Sequence, residues 1–143
     1  MTERKPRDTI ARDRFLQRLH EMNHQVESDT VIARENVYRV DGLVHLMVRT
    51  SRFHDRRSVY FFGLTRHIFE NFAQLPHAVI AFVFSDTSEA SLVPAQWLWK
   101  QREKPSADSK QFKLEIDKSL RLKVRNAGKP IDLGDFREDF RVL

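Results

Sequence analysis

The densest chemical grouping in this chain is basic. Arg49, Arg52, Arg56 and Arg57 fall within nine residues, with His54 among them and only Asp55 opposing. Guanidinium groups present paired N–H donors that match a phosphate, and clustered cations attract a polyanion whatever its sequence. The stretch reads as a phosphate-contacting loop in which Arg52 and His54 also reach toward a groove; a solvated charged loop is the plain alternative. Lys100 and Arg102, just after the second of two tryptophans, add a further basic spot. A second grouping, His20-Glu-Met-Asn-His24, has the H-E-x-x-H spacing that on a helix sets two imidazoles toward zinc, with the Glu as general base. Its helix is expected to end near Asn23 and no third ligand stands out beside Glu27 and Asp29, so a polar helix end is the expected role. Trp97 and Trp99, two apart, cannot both face a core from a helix. Core packing is expected, with one indole left over for base stacking or a protein contact.

These groups need a scaffold, and hydropathy patterning supplies one. Asp8 or Thr9 is placed to cap a helix running to about Met22, with Ile10, Phe15, Leu19 and Met22 near one face. Residues 27–30 read as a turn, and 31–40 and 43–50 as strands around Asp41-Gly42, a strong hairpin signal. The charged loop 52–57 leads into a strand at 58–64, expected to be buried on both sides. Thr65 is placed to cap a short helix carrying Ile68, Phe69, Phe72 and Leu75, which Pro76 ends. Residues 77–84 are apolar on both faces and predict the central strand. A short strand at 91–93 meets Pro94, which suits the first turn of a helix through Trp97 and Trp99. Residues 103–110 read as a flexible connector. Phe112, Leu114 and Ile116 alternate, as do Leu120, Leu122 and Val124, predicting a hairpin across Asp117-Lys118. Phe136, Phe140 and Leu143 are spaced for a final helix.

Side-chain parity selects the register of the first hairpin. A three-residue turn, Asp41-Gly42-Leu43, pairs Val40 with Val44 and gathers Tyr38, Val40, Val44, Leu46 and Val48 on one almost wholly apolar face. The opposite face then carries Glu35, Val37, Arg39, His45, Met47 and Arg49, with Glu35 opposite Arg49. A slip of one residue flips every side chain, and the two-residue alternative mixes the faces. As a cross-strand ion pair on a solvated face, Glu35 and Arg49 would contribute little.

The stretch Leu46-Met-Val-Arg-Thr-Ser51, followed by Val59-Tyr-Phe-Phe62, the apolar strand and Leu92-Val-Pro94, resembles the group I intron-associated members of the PD-(D/E)XK nuclease superfamily. Their middle strand reads roughly V-Q-V-K-T-S, ahead of an aromatic Y-x-F strand and a stretch ending in Ile-Pro. The resemblance covers residues 8–100. It implies an α/β restriction-endonuclease-like core of order αβββαβ with a mixed sheet, extended here by a C-terminal hairpin and helix at 111–143. It further implies a phosphodiester-cleaving site in which carboxylate or amide ligands hold magnesium or manganese and a lysine assists the attacking water. By position the aspartate corresponds to Glu35, the second ligand to Met47 and the lysine to Arg49. Glu35 is a workable metal ligand, and His45 on the same face is a replacement ligand. Met47 is not one, because a hard cation prefers oxygen. Arg49 stays protonated; it binds phosphate but cannot act as a base.

Composition bounds the rest. A length of 143 residues fits one domain with a single core, and a 41% apolar fraction with eleven Phe can fill it. The longest apolar run, residues 78–84, is far shorter than the roughly 18 residues of a membrane span. With a polar start and no cysteine, thiolate catalysis and Cys-bound zinc are excluded and a cytoplasmic setting is expected. A net charge of +5 and a pI near 9.8 permit an anionic partner. The expected function is DNA or RNA binding on a degenerate nuclease scaffold that needs no cofactor. The alternatives are a metal-dependent nuclease with a migrated site, and an interaction domain pairing with itself or another protein.

Overall fold

Residues 78–84 are buried at every position, as a strand with two apolar faces must be, and the architecture follows from covering both. The computed structural model describes residues 7–29, 37–126 and 128–143. In order it has α1 (Arg7–Glu21), β1 (Val26–Ser28), β2 (Val37–Val40), β3 (Val44–Ser51), β4 (Phe53–His54), β5 (Val59–Thr65), α2 (Arg66–Ala73), β6 (Ala78–Phe84), β7 (Ala90–Pro94) and α3 (Ala95–Lys100). β8 (Ser106–Ala107), β9 (Gln111–Ile116), β10 (Arg121–Leu122) and β11 (Ile131–Asp132) follow, with 3-10 turns at Gly134–Phe136 and Phe140–Val142.

The first sheet has the order β1-β2-β3-β6-β7, with β3 and β6 parallel and the other pairs antiparallel. Parallel neighbours need a long crossover; here β4, β5 and α2 form it. On one face Val40, Val44, Leu46, Val48, Val79, Ala81 and Val83 pack against Ala11, Phe15 and Leu19 of α1. The other face, with Val37, Met47, Ile80, Phe82 and Phe84, meets α2, α3 and a second sheet of order β4-β5-β9-β10-β11, onto which β8 pairs through β9. Ring contacts seal this core: Phe62 lies 4.9 Å from Phe82 and Tyr60 lies 4.5 Å from Phe84, centroid to centroid. The result is a mixed α/β, restriction-endonuclease-like arrangement. In the described residues no helix is long and apolar enough to cross a membrane.

The hairpin register matches parity: Val40 pairs with Val44 and Tyr38 with Leu46, across a turn in which Asp41 and Gly42 take φ of 54° and 67°. Other expectations need correction. Asp8 and Thr9 lie inside α1, which begins at Arg7, and its buried face is Ala11, Phe15 and Leu19, with Ile10 and Met22 exposed. Residues 26–28 form an edge strand where a turn was expected from 27, and residues 31–36 lie outside those described. β5 is not buried on both sides, because it belongs to the second sheet. Tyr60, Phe62 and Leu64 face the core, whereas Phe61 and Gly63 lie on the outer row, half-buried. Thr65 makes no side-chain cap; the Arg66 N–H instead donates to the Lys110 carbonyl at 2.9 Å. The stretch 103–110 holds β8, paired with β9. The C-terminal residues form two short 3-10 turns rather than a helix, because Arg137 takes an extended backbone and bridges to Ser91 on β7.

Candidate nucleic-acid interface

The basic stretch is not a free loop: it is a β-hairpin. β4 pairs with β5 through Phe53–Tyr60 and His54–Val59, and a turn at 55–58 closes on the Arg57 N–H, which donates to the His54 carbonyl at 3.1 Å. Ser58 takes φ of 56°, the left-handed conformation that ends the turn. Arg52, Arg56 and Arg57 are exposed and His54 half-buried around a concavity of about 420 Å³ lined by residues 52–57. Beneath them Phe53 packs edge-on to Tyr60 at 5.2 Å. The Tyr60 hydroxyl donates to the carboxylate of Asp86 at 2.8 Å; burial and that carboxylate hold the phenol protonated well above its ordinary range. The base of the hairpin that carries the arginines is therefore tied to the β6–β7 turn.

A second basic turn stands beside it. The Lys118 ammonium lies 4.3 Å from the Phe53 ring centroid, a cation–π contact that joins the β9–β10 turn to β4. Arg57 forms an ion pair with Glu115 on β9, and Lys123 approaches the same carboxylate at 4.0 Å. Lys118 and Lys123 were not among the expected contact residues, although both lie in a basic stretch; only the strand order brings that stretch to the hairpin.

Lys100 and Arg102 stand elsewhere, at the end of α3. Lys100 is exposed, while the Arg102 guanidinium stacks 4.3 Å from the Trp99 ring and donates to the Trp99 carbonyl at 3.0 Å. Both tryptophans pack: Trp97 against Phe136 at 4.8 Å and Trp99 against Phe69 at 5.3 Å.

On β3, His45, Met47 and Arg49 share a face as parity requires, and that face is covered. Met47 is 0% exposed within the core. His45 is buried, its Nδ1 lying 2.6 Å from Asp29 Oδ2. Arg49 is half-buried, with Nη1 donating to the Val48 carbonyl at 3.3 Å. Glu35, and with it the expected pairing to Arg49, lies outside the described residues. Among those described, no three His, Asp or Glu side chains are placed to hold a metal ion. Met47, where the resemblance expects a ligand, offers a buried thioether, a poor donor to magnesium.

One histidine of the H-E-x-x-H stretch has a structural use. α1 ends at Glu21, so His24 lies past the helix; its Nδ1 meets Asp41 Oδ2 at 2.7 Å, and the other oxygen of Asp41 accepts the Gln25 N–H at 2.7 Å. These two bonds hold the Asp41 carboxyl below its usual range and anchor the first hairpin turn to the end of α1. Asp29 was missed as a partner of His45: it falls in a stretch whose composition reads as a turn.

No protein-family model and no curated protein sequence matches this chain. Its fold is similar to that of a bacterial homing endonuclease, I-Ssp6803I, with a TM-score of 0.57 over 99% of this chain and 91% of that one at 13% identity. At that identity the likeness shows the fold alone.

Proposed function

We propose that this protein binds nucleic acid through the β4–β5 hairpin, on a nuclease-like scaffold that does not itself cleave. The observation that carries this reading is the hairpin: Arg52, Arg56 and Arg57 are exposed around one concavity, on a base anchored by Tyr60 and Asp86. Such a cluster of guanidinium groups on an anchored hairpin suits phosphate oxygens and gives affinity that is independent of sequence and sensitive to salt. His54 lies within the same hairpin and Arg49 precedes it in sequence, and Lys100 and Arg102 at the end of α3 add a separate basic spot.

Fold similarity to a homing endonuclease supports a polynucleotide partner, DNA in the first instance. Cleavage is a different matter. It asks for oxygen ligands and a base where this chain has Met47, buried in the core, and Arg49, permanently charged. Binding titrations in EDTA, with labelled DNA and RNA, test the reading: Arg52→Ala with Arg56→Ala weakens binding and lowers the slope of log affinity against log salt by about one per lost phosphate contact. Binding that is indifferent to both substitutions and to salt would overturn it. Fragments formed only with manganese, and lost in Glu35→Ala, would establish the nuclease alternative in its place.

A further inference from the structure

Resting on the nucleic-acid reading above, we propose that the outer face of the second sheet receives an unpaired strand, with Phe61 as the platform on which a base stacks. Phe61 is the large apolar side chain of this sheet that joins neither core. It is half-buried on the outer row of β5, between the buried Val59 and the half-buried Gly63. Gly63 follows it on the same row. A Cβ there would lie 2.8 Å from Gln111 Oε1 and 3.8 Å from Phe61 Cε1, so the ring and the amide both lean over the glycine. The ring thus reaches along the row toward Gly63, and an aromatic side chain on a sheet surface is what an unpaired base stacks on.

The surroundings favour an anionic strand. Directly across from Phe61 in register is Glu115, whose charge is answered by Arg57 from the hairpin and Lys123 beyond β10. Lys113 stands beside Gly63 on the same face. Residues 49–57 and 104–125 together hold eleven Lys and Arg against four Asp and Glu, a surplus of seven in a chain whose whole surplus is five. The strand order β4-β5-β9-β10 makes these two stretches neighbours, and Lys118 on Phe53 joins them. Phosphates would lie on the two basic turns, with the bases toward Phe61. A duplex keeps its base faces stacked inside and has none to offer this ring; an unpaired DNA or RNA strand has one per nucleotide.

The test is fluorescence anisotropy of the full chain in EDTA, with labelled single-stranded DNA and RNA of about 15 nucleotides and the matching duplexes. The proposal expects tighter binding of a single strand than of its duplex. Phe61→Leu should weaken single-strand binding roughly tenfold while leaving duplex binding within about twofold, and Phe61→Trp should retain it. Duplex preference, or an equal effect of Phe61→Leu on both forms, would overturn it. If Arg52→Ala with Arg56→Ala weakens every form and Phe61→Leu weakens none, the hairpin reading stands and the stacking platform falls; if nothing binds, the hairpin reading itself falls. Should Phe61→Leu fail to fold, Phe61→Trp decides: its added emission is quenched by a single strand and not by a duplex, and equal or absent quenching overturns the proposal.

Discussion

His45 on β3 and Asp29, one residue past β1, meet at 2.6 Å between Nδ1 and Oδ2, and both are buried. The contact reaches across β2 and ties the edge strand to the middle of the first sheet. His45→Ala removes this partner from a carboxylate that is 6% exposed, which costs about 1–3 kcal/mol. The check is urea unfolding, where the midpoint falls at constant slope; an unchanged midpoint would mean that the pair contributes nothing.

Tyr60 makes stability depend on alkaline pH. Burial first, and then the Asp86 carboxylate, raise its ionisation above the ordinary value of 10.0. A phenol whose ionisation is raised on folding contributes its stability in full below the unfolded value and loses it as pH climbs beyond. Urea midpoints should therefore fall above about pH 10, and in Tyr60→Phe that part of the fall disappears. Identical alkaline profiles for the two proteins would contradict the assignment.

Arg18 and Glu138 close the C-terminal segment onto α1. The guanidinium Nη1 donates to Glu138 Oε2 at 3.2 Å and to the Ser88 carbonyl at 3.0 Å, and Glu138 also accepts the Ala90 N–H at 3.1 Å. Phe140 stacks on Phe15 beneath them at 6.2 Å. Glu138→Ala should cost about 1–2 kcal/mol and speed proteolysis after residue 136. Unchanged cleavage would show that the Glu138 side chain is dispensable and that Phe140 and the Arg137–Ser91 bridge hold the segment.

Met47 bears on catalysis. Magnesium or manganese should leave DNA and RNA intact over hours, because a buried thioether stands where the resemblance expects an oxygen ligand. Met47→Gln, which places an amide at a site 0% exposed, should destabilise by about 1–3 kcal/mol. Metal-dependent cutting by the native chain would reverse this account.

Much of the fold was legible from local pattern. Val40 opposite Val44 follows from parity alone, and the seven apolar residues of β6 announced a strand covered on both sides. Partnership at long range was not legible. Alternation shows that 59–65 is a strand, but not that it leaves β3 for a second sheet and pairs with 111–116. The same gap hid how the candidate interface is assembled: Arg57 meeting Glu115 and Lys118 meeting Phe53 depend on strand order, which no spacing reveals. At the C-terminus, Phe136, Phe140 and Leu143 keep helical spacing, yet Glu138 takes φ of 50° and breaks the segment so that it can cap β7.

The most direct test of nucleic-acid binding by the hairpin is a salt titration of binding in EDTA, comparing the native chain with Arg52→Ala, Arg56→Ala. The account predicts a retarded, intact complex whose affinity falls steeply with salt, and a double variant that binds more weakly with a slope shallower by about two. Equal affinity and equal slope in the two proteins would contradict it.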